Sequence, residues 1–178
     1  DNNRIAEYSV DQTSLDLMAG VNVGLWGPVS VGWAERYRSA EVATGSPMLP
    51  AGSEHFGGFL AKLDFDQFDR LYDPTHGWAA HGSYFYAAGD GYDKADLDLR
   101  ATDNFGDYIL HGRIRGAGSF TGSLPFYDAV ALGGFMNLSG FARNQIIGES
   151  LMYGSVRLEK IVGRLPAGLR GDMRVGLA

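Results

Sequence analysis

Residues 13–25 read TSLDLMAGVNVGL, and the alternation in this stretch decides the fold. Leu15, Leu17, Ala19, Val21, Val23 and Leu25 fall on one side of an extended chain, and Ser14, Asp16, Met18, Gly20, Asn22 and Gly24 on the other. Strand side chains project to opposite faces with period two, so the stretch has one continuous apolar face and one small or polar face. Its length suits a tilted membrane-crossing strand, which needs roughly 9–11 residues. Trp26-Gly27-Pro28 reads as a tight turn. Beyond it, Val29, Val31 and Trp33 continue an apolar face against Ser30, Gly32, Ala34 and Arg36, so the two strands form a hairpin.

The pattern recurs along the chain. A polar, proline-containing loop from Arg38 to Glu54 leads to a third strand, where Phe59, Ala61, Leu63 and Phe65 oppose Leu60, Lys62, Asp64 and Asp66. Asp73-Pro74 and Gly77 mark the turn that follows. In a fourth strand from Trp78 to Ala87, Trp78, Ala80, Tyr84 and Tyr86 oppose His81 and Ser83, and Gly89-Asp90-Gly91 makes the next turn. In the fifth, Ala95, Leu97, Leu99 and Ala101 alternate with Lys94, Asp96, Asp98 and Arg100. After a turn at Asp103–Gly106, a sixth strand from Tyr108 to Ala117 sets His111, Arg113 and Arg115 against Leu110, Gly112 and Ile114. A long apolar, glycine-rich loop, Thr121 to Ile147, then precedes a seventh strand at about Ser150–Lys160. An eighth begins near Leu169, with Arg170, Asp172 and Arg174 opposite Met173, Val175 and Leu177. Eight strands and no amphipathic helix predict an all-β, antiparallel fold.

Composition narrows the function classes. No window approaches the ~18 unbroken apolar residues of a transmembrane helix. The slightly negative mean hydropathy of −0.12 does not argue against a β-barrel, whose strands are apolar only on alternate positions. A charge of −6 without a Lys/Arg cluster speaks against nucleic acid as a partner. The absence of cysteine removes disulfides and Cys-based zinc sites. His55, His76, His81 and His111 show no metal-ligand spacing, so neither a metal nor another cofactor is expected. Ser30 lies in PVSVG and Ser139 in NLSGF, neither of them a GxSxG turn, and no catalytic residue is expected in this chain.

Two packings compete for the apolar faces. In a soluble, ligand-binding β-sandwich they would cover one another; in a membrane barrel they would face lipid, with charges on the opposite faces lining a polar lumen. Three details favour the barrel: glycine and alanine interspersed on the apolar faces, aromatic residues near strand ends, and turns that alternate in length. The lumen-facing charges are then Lys62, Asp64, Lys94, Asp96, Asp98, Arg100, Arg113, Arg115, Arg170, Asp172 and Arg174.

The segment Leu124-Pro125-Phe126-Tyr127-Asp128, with the following LGGFMNLSGF (132–141) and Arg143 to Gly148, resembles the lumenal-loop region of the bacterial surface antigen superfamily. That superfamily includes the barrel-assembly protein BamA and two-partner secretion transporters. The barrel domain of patatin-like phospholipase autotransporters (type V secretion) looks closest, and the turn from Asp66 to Gly77 is similar to the periplasmic turn of these barrels. The resemblance implies a fragment, over 1–178, of a single outer-membrane β-barrel domain with about eight of 16 strands. Its function would be to translocate or anchor a passenger, a patatin-like domain lying outside this chain, in a Gram-negative bacterium. An assembly factor of the BamA kind is the alternative of the same fold. Outer-membrane lipid, the passenger, and a second copy joined through exposed strand edges are the expected partners.

The resemblance further implies that the long loop folds into the lumen and is pinned to the wall by a motif with arginine before Gly-aromatic. Here the motif region comprises Gly133, Gly134, Asn137, Leu138, Ser139, Gly140 and Phe141. Ser139 stands in the place of the arginine, Arg143 is the candidate substitute, Gly140 is expected to permit a tight turn, and Phe141 to fill a pocket.

Overall fold

The structure, a computed structural model, describes residues 7–44, 52–89, 92–125, 128–134, 138, 140–142, 144–164 and 171–177. Ten strands follow one another: β1 (Glu7–Val23), β2 (Gly27–Thr44), β3 (Gly52–Asp66), β4 (Gly77–Ala87), β5 (Asp93–Phe105), β6 (Tyr108–Gly118), β7 (Val130–Leu132), β8 (Ile146–Gly148), β9 (Leu151–Arg164) and β10 (Asp172–Leu177). Eight of them form one antiparallel sheet in the order β1-β2-β3-β4-β5-β6-β9-β10, and β7 pairs with β8 inside the long connection. The large sheet is open. Its edges are β1 and β10, and it does not close on itself.

The strands outrun the expected boundaries. Most of the stretch from Arg38 to Glu54, read as a polar loop, is strand: Arg38 pairs with Glu54 and Tyr37 with His55, and β2 continues to Thr44. Val42 shares a side with Arg38 and Thr44 there, and Ala43 with Ser39 and Glu41, so no continuous apolar face marks the strand, while the backbone ladder with its neighbours persists. The first turn is Gly24–Trp26, two residues earlier than Trp26-Gly27-Pro28, and Pro28 already pairs with Asn22. Gly27 explains the shift, because at φ +140° a Cβ would lie 2.2 Å from the Asp64 carbonyl oxygen and only glycine fits.

Register places the expected faces together. Val31 stands between Ala19 and Ala61, and Ala101 between Trp78 and Gly112, so apolar side chains of successive strands form continuous rows. Among the described residues none covers this face: Leu17 is 68% exposed, Val31 61%, Ile114 57% and Val156 66%. Aromatic rings border it at two levels. Trp26, Phe65 and Trp78 cluster edge-to-face at the short-turn end, with centroids 6.0–6.4 Å apart. Trp33 stacks edge-on to Phe59 at the other end, 5.0 Å apart, near Tyr84 and Tyr86. Six to eight residues separate the two levels along a strand, about 20–26 Å at ~3.3 Å per residue.

The polar face is concave. Arg174 of β10 donates to the Asp73 carboxylate, 2.6 Å away, in the β3–β4 connection. Four strand-to-strand steps separate β4 from β10 in the sheet, about 19 Å at ~4.8 Å per step. The sheet therefore curls, polar side inward, until the connection spans that chord.

The β3–β4 connection is itself built on a carboxylate. Asp69 accepts from the Thr75 hydroxyl at 2.6 Å and from the backbone N–H groups of Thr75 and His76 at 2.9 and 3.1 Å. The Thr75 hydroxyl bond leads the causes that hold the Asp69 pKa down from 3.8 to about 2. A carboxylate whose folded pKa is depressed stabilises the turn fully above its unfolded pKa and loses that contribution as pH falls through the folded value. Hydrogen-exchange protection of the Thr75 and His76 amides should hold down to pH 3.8 and collapse near pH 2. Asp69→Ala should lower it at neutral pH and erase the acid transition.

Candidate functional site

The long connection between β6 and β9 lies against the polar face, held by two carboxylates. Asp93, the first residue of β5, is fully buried. It accepts from the Ser119 hydroxyl at 2.8 Å, the Thr121 hydroxyl at 2.5 Å, and the backbone N–H groups of Phe120 and Thr121 at 3.1 and 2.9 Å. These bonds satisfy donors of the chain as it leaves the β6 ladder. The second carboxylate belongs to the connection. Asp128, 1% exposed, accepts from Arg38 of β2 at 2.5 Å, from Lys94 of β5 at 2.6 Å, and from the Tyr92 hydroxyl at 3.1 Å. Lys94 also donates to the Asp128 backbone carbonyl at 2.7 Å.

Apolar contacts surround this polar knot. Leu124 and Val130 flank Asp128 in sequence and are both 5% exposed, packed in a cluster with Ala34, Phe56, Leu60, Phe85 and Tyr92 from the wall. The guanidinium of Arg36 lies 4.1 Å from the Phe85 ring centroid, a cation–π contact beneath the same cluster. This is the core of the molecule, and it exists only because the connection covers that part of the polar face.

The expected motif residues form a compact knot of their own. Gly133 has φ +133°, and a Cβ there would meet the Ala142 carbonyl oxygen at 2.2 Å. Gly134 donates to the Phe141 carbonyl at 3.1 Å, and its carbonyl accepts from Leu138 at 2.9 Å. Phe141 N–H to Leu138 carbonyl, 3.0 Å, closes a turn that contains Gly140, whose backbone lies outside the left-handed region. Phe141 is 43% exposed, and it is Leu124 and Val130 that pack in the core against the wall. Asn137, Ser139 and Arg143 lie outside the described residues, as does Arg170.

The charged wall is paired throughout. Lys62 bonds Asp16 at 2.9 Å, His81 contacts Asp64 at 2.6 Å, and Arg115 bonds Asp96 at 2.6 Å. Arg100 and Arg113 stand opposite each other in register, which on its own is destabilising. Both turn onto Asp98, each at 2.7 Å, and the carboxylate between them removes the repulsion. Glu159 gathers Arg157, His111 and Arg174 at 2.9, 3.2 and 3.3 Å, while Asp172 faces Arg70 and Arg174, both at 3.9 Å. Thus Lys62, Asp64, Asp96, Asp98, Arg100, Arg113, Arg115, Asp172 and Arg174 share the polar face, and Lys94 leaves the wall pattern to hold Asp128.

Sequence reasoning missed Arg38, Tyr92, Asp93, Asp128 and Glu159. One signal was present: Asp128 is the lone charge within the apolar segment 124–135, and an isolated charge in an apolar loop needs a partner. Arg38 and Tyr92 carry no such mark. Neither a protein-family model nor a curated protein matches the chain.

Removing Asp128 leaves two cations facing each other in a buried knot, so Asp128→Ala should cost about 2–4 kcal/mol of loop docking. Limited proteolysis should then cut within residues 122–134 while the β-sheet signal persists. Gly133→Ala should strain the knot by ~1–3 kcal/mol. Gly140→Ala should be tolerated, since a Cβ there meets open space. Equal protease resistance for Asp128→Ala and the unaltered chain would remove the anchoring role.

Proposed function

We propose that the chain builds one wall of an outer-membrane-type β-barrel in a Gram-negative bacterium, and that this barrel anchors or translocates a passenger domain. One observation carries the membrane reading: an apolar face with no protein partner, bordered by aromatic rings at two levels, on a sheet whose opposite face is sewn by ion pairs. A soluble sandwich would cover that face with a second layer. Lipid covers it without one, and aromatic side chains settle at the two interfaces of a bilayer. The ladder of an antiparallel sheet satisfies backbone groups between strands, as a membrane interior demands.

Within this reading the concave face lines the lumen, and the β6–β9 connection is a plug docked on its wall. The open edges, β1 and β10, are completed by further strands, from the same protein or from a second copy, since an unpaired edge is not tolerated in lipid. Docking through Asp128 keeps the plug in place, and passenger transit requires either that the plug stay clear of the path or that the Asp128 knot open. The passenger's patatin-like identity rests on the likeness of residues 124–148 to the surface antigen loop.

Substitution on the two faces tests the membrane assignment. Val31→Arg, in the middle of the apolar band, should weaken insertion into lipid vesicles by about 2–4 kcal/mol. Ser83→Arg, on the opposite face beside Asp96, should change it little. If both substitutions act alike, or if the chain is a detergent-free soluble monomer, the membrane reading fails.

A further inference from the structure

The apolar face is not uniformly filled. Two open cavities of about 450 and 440 Å³ share the walls Ala101, Gly112 and Val156 and run together as one groove across β5, β6 and β9. Trp78 closes it on one side and Leu99 and Ile114 on the other. Its floor is low at Gly112, where a Cβ would meet no atom within 4 Å. The volume and apolar lining suit a flexible hydrocarbon chain.

The groove ends in polar groups at the short-turn end. His76 Nδ1 lies 2.9 Å from the Asp103 carboxylate at the cavity's edge, and both side chains are exposed, 71% and 55%. Register sets Asp103 beside Leu110, one row below Gly112, and Tyr108 beside Lys160 in the next row. The Lys160 ammonium sits 5.3 Å from the Tyr108 ring centroid. A carboxylate on β5 and an ammonium on β9 thus lie beyond the end of the apolar groove on either side of β6, one and two rows past the row that Trp78 shares with Gly112.

We propose that this groove binds one acyl chain of a glycerophospholipid whose headgroup is phosphoethanolamine. The inference rests on the membrane reading above. Asp103 accepts N–H bonds from the primary ammonium, and Lys160, with the Tyr108 hydroxyl, donates to the phosphate. A phosphoglycerol headgroup brings no cation to Asp103, and phosphocholine brings a cation with no N–H to donate.

The test offers the full chain, purified in detergent, an equal mixture of phosphatidylethanolamine, phosphatidylglycerol and phosphatidylcholine with identical acyl chains. Native mass spectrometry counts the lipid retained. Phosphatidylethanolamine should be retained about fivefold over the other two, the size of an exposed charged contact. Asp103→Asn should equalise phosphatidylethanolamine and phosphatidylcholine. Gly112→Leu should reduce retention of all three by filling the groove with the headgroup residues intact. Equal retention of the three lipids by the unaltered chain overturns the proposal, as does retention by both variants that matches it. Vesicle insertion is measured alongside: a chain that inserts without lipid preference sinks this inference alone, whereas a chain that does not insert sinks the membrane reading and the site with it.

Discussion

A sheet that leaves one face without a protein partner must draw its shape from the other, and here the polar face does so through contacts between strands that are not neighbours. Ladder hydrogen bonds fix adjacent strands and leave curvature free. Two chords remove that freedom. Asp128 joins Arg38 of β2 to Lys94 of β5 at the long-loop end, and Asp73 of the β3–β4 connection holds Arg174 of β10 at the short-turn end. The small core is completed by the first chord, because Leu124 and Val130 reach Phe56, Phe85 and Tyr92 of the wall when the connection is drawn onto it.

Ion pairs are an unusual material for this purpose. Burying a charged pair returns little net stability, and apolar replacements of similar volume are often as stable. What a charged pair does provide is a penalty for wrong arrangements. If β6 slipped by one residue against β5, Arg113 would be carried off Asp98, and if the sheet flattened, Arg38 and Lys94 would be drawn off Asp128. Each of those states breaks an ion pair in a partly desolvated space. Apolar rows on the other face, open to their surroundings, discriminate far less between registers.

The sequence disclosed the strands where the two faces differ and fell silent where they do not. Leu15 to Val23 and Lys94 to Ala101 alternate between apolar and polar residues, and both stretches lie inside strands on the expected faces. From Arg38 onward both faces mix polar with small apolar residues, so β2 past Tyr37 and the start of β3 passed for a loop. The β7–β8 pair is three residues long on each side, too short for any period to register. Pairing partners were less legible still. Lys94, Asp96 and Asp98 shared a face as their spacing required, yet Lys94 crosses to the connection while its neighbours stay on the wall. Spacing encodes direction, and partner choice depends on the fold of residues far away in the chain.

The connection shows the same division between local and distant information. Its glycines act locally: Gly133 and Gly134 have φ values of +133° and +108°, the hydrogen bonds of Gly134 join Leu138 and Phe141, and Gly133 passes close to the Ala142 carbonyl. A motif recognised by such residues reports how the loop turns. Among the described residues attachment comes from Asp93 at the start of the connection and from Asp128, upstream of the motif, where the acid is on the loop and the cations are on the wall. That arrangement governs what can release the loop. One carboxylate serves two cations from strands three steps apart, so any displacement of β2 relative to β5 must break at least one of its bonds. The bond that is lost leaves a cation in a space sealed by Leu124 and Val130. Docking and the curvature of the wall are therefore one equilibrium, and a force that opens the sheet between β2 and β5 undocks the loop as well.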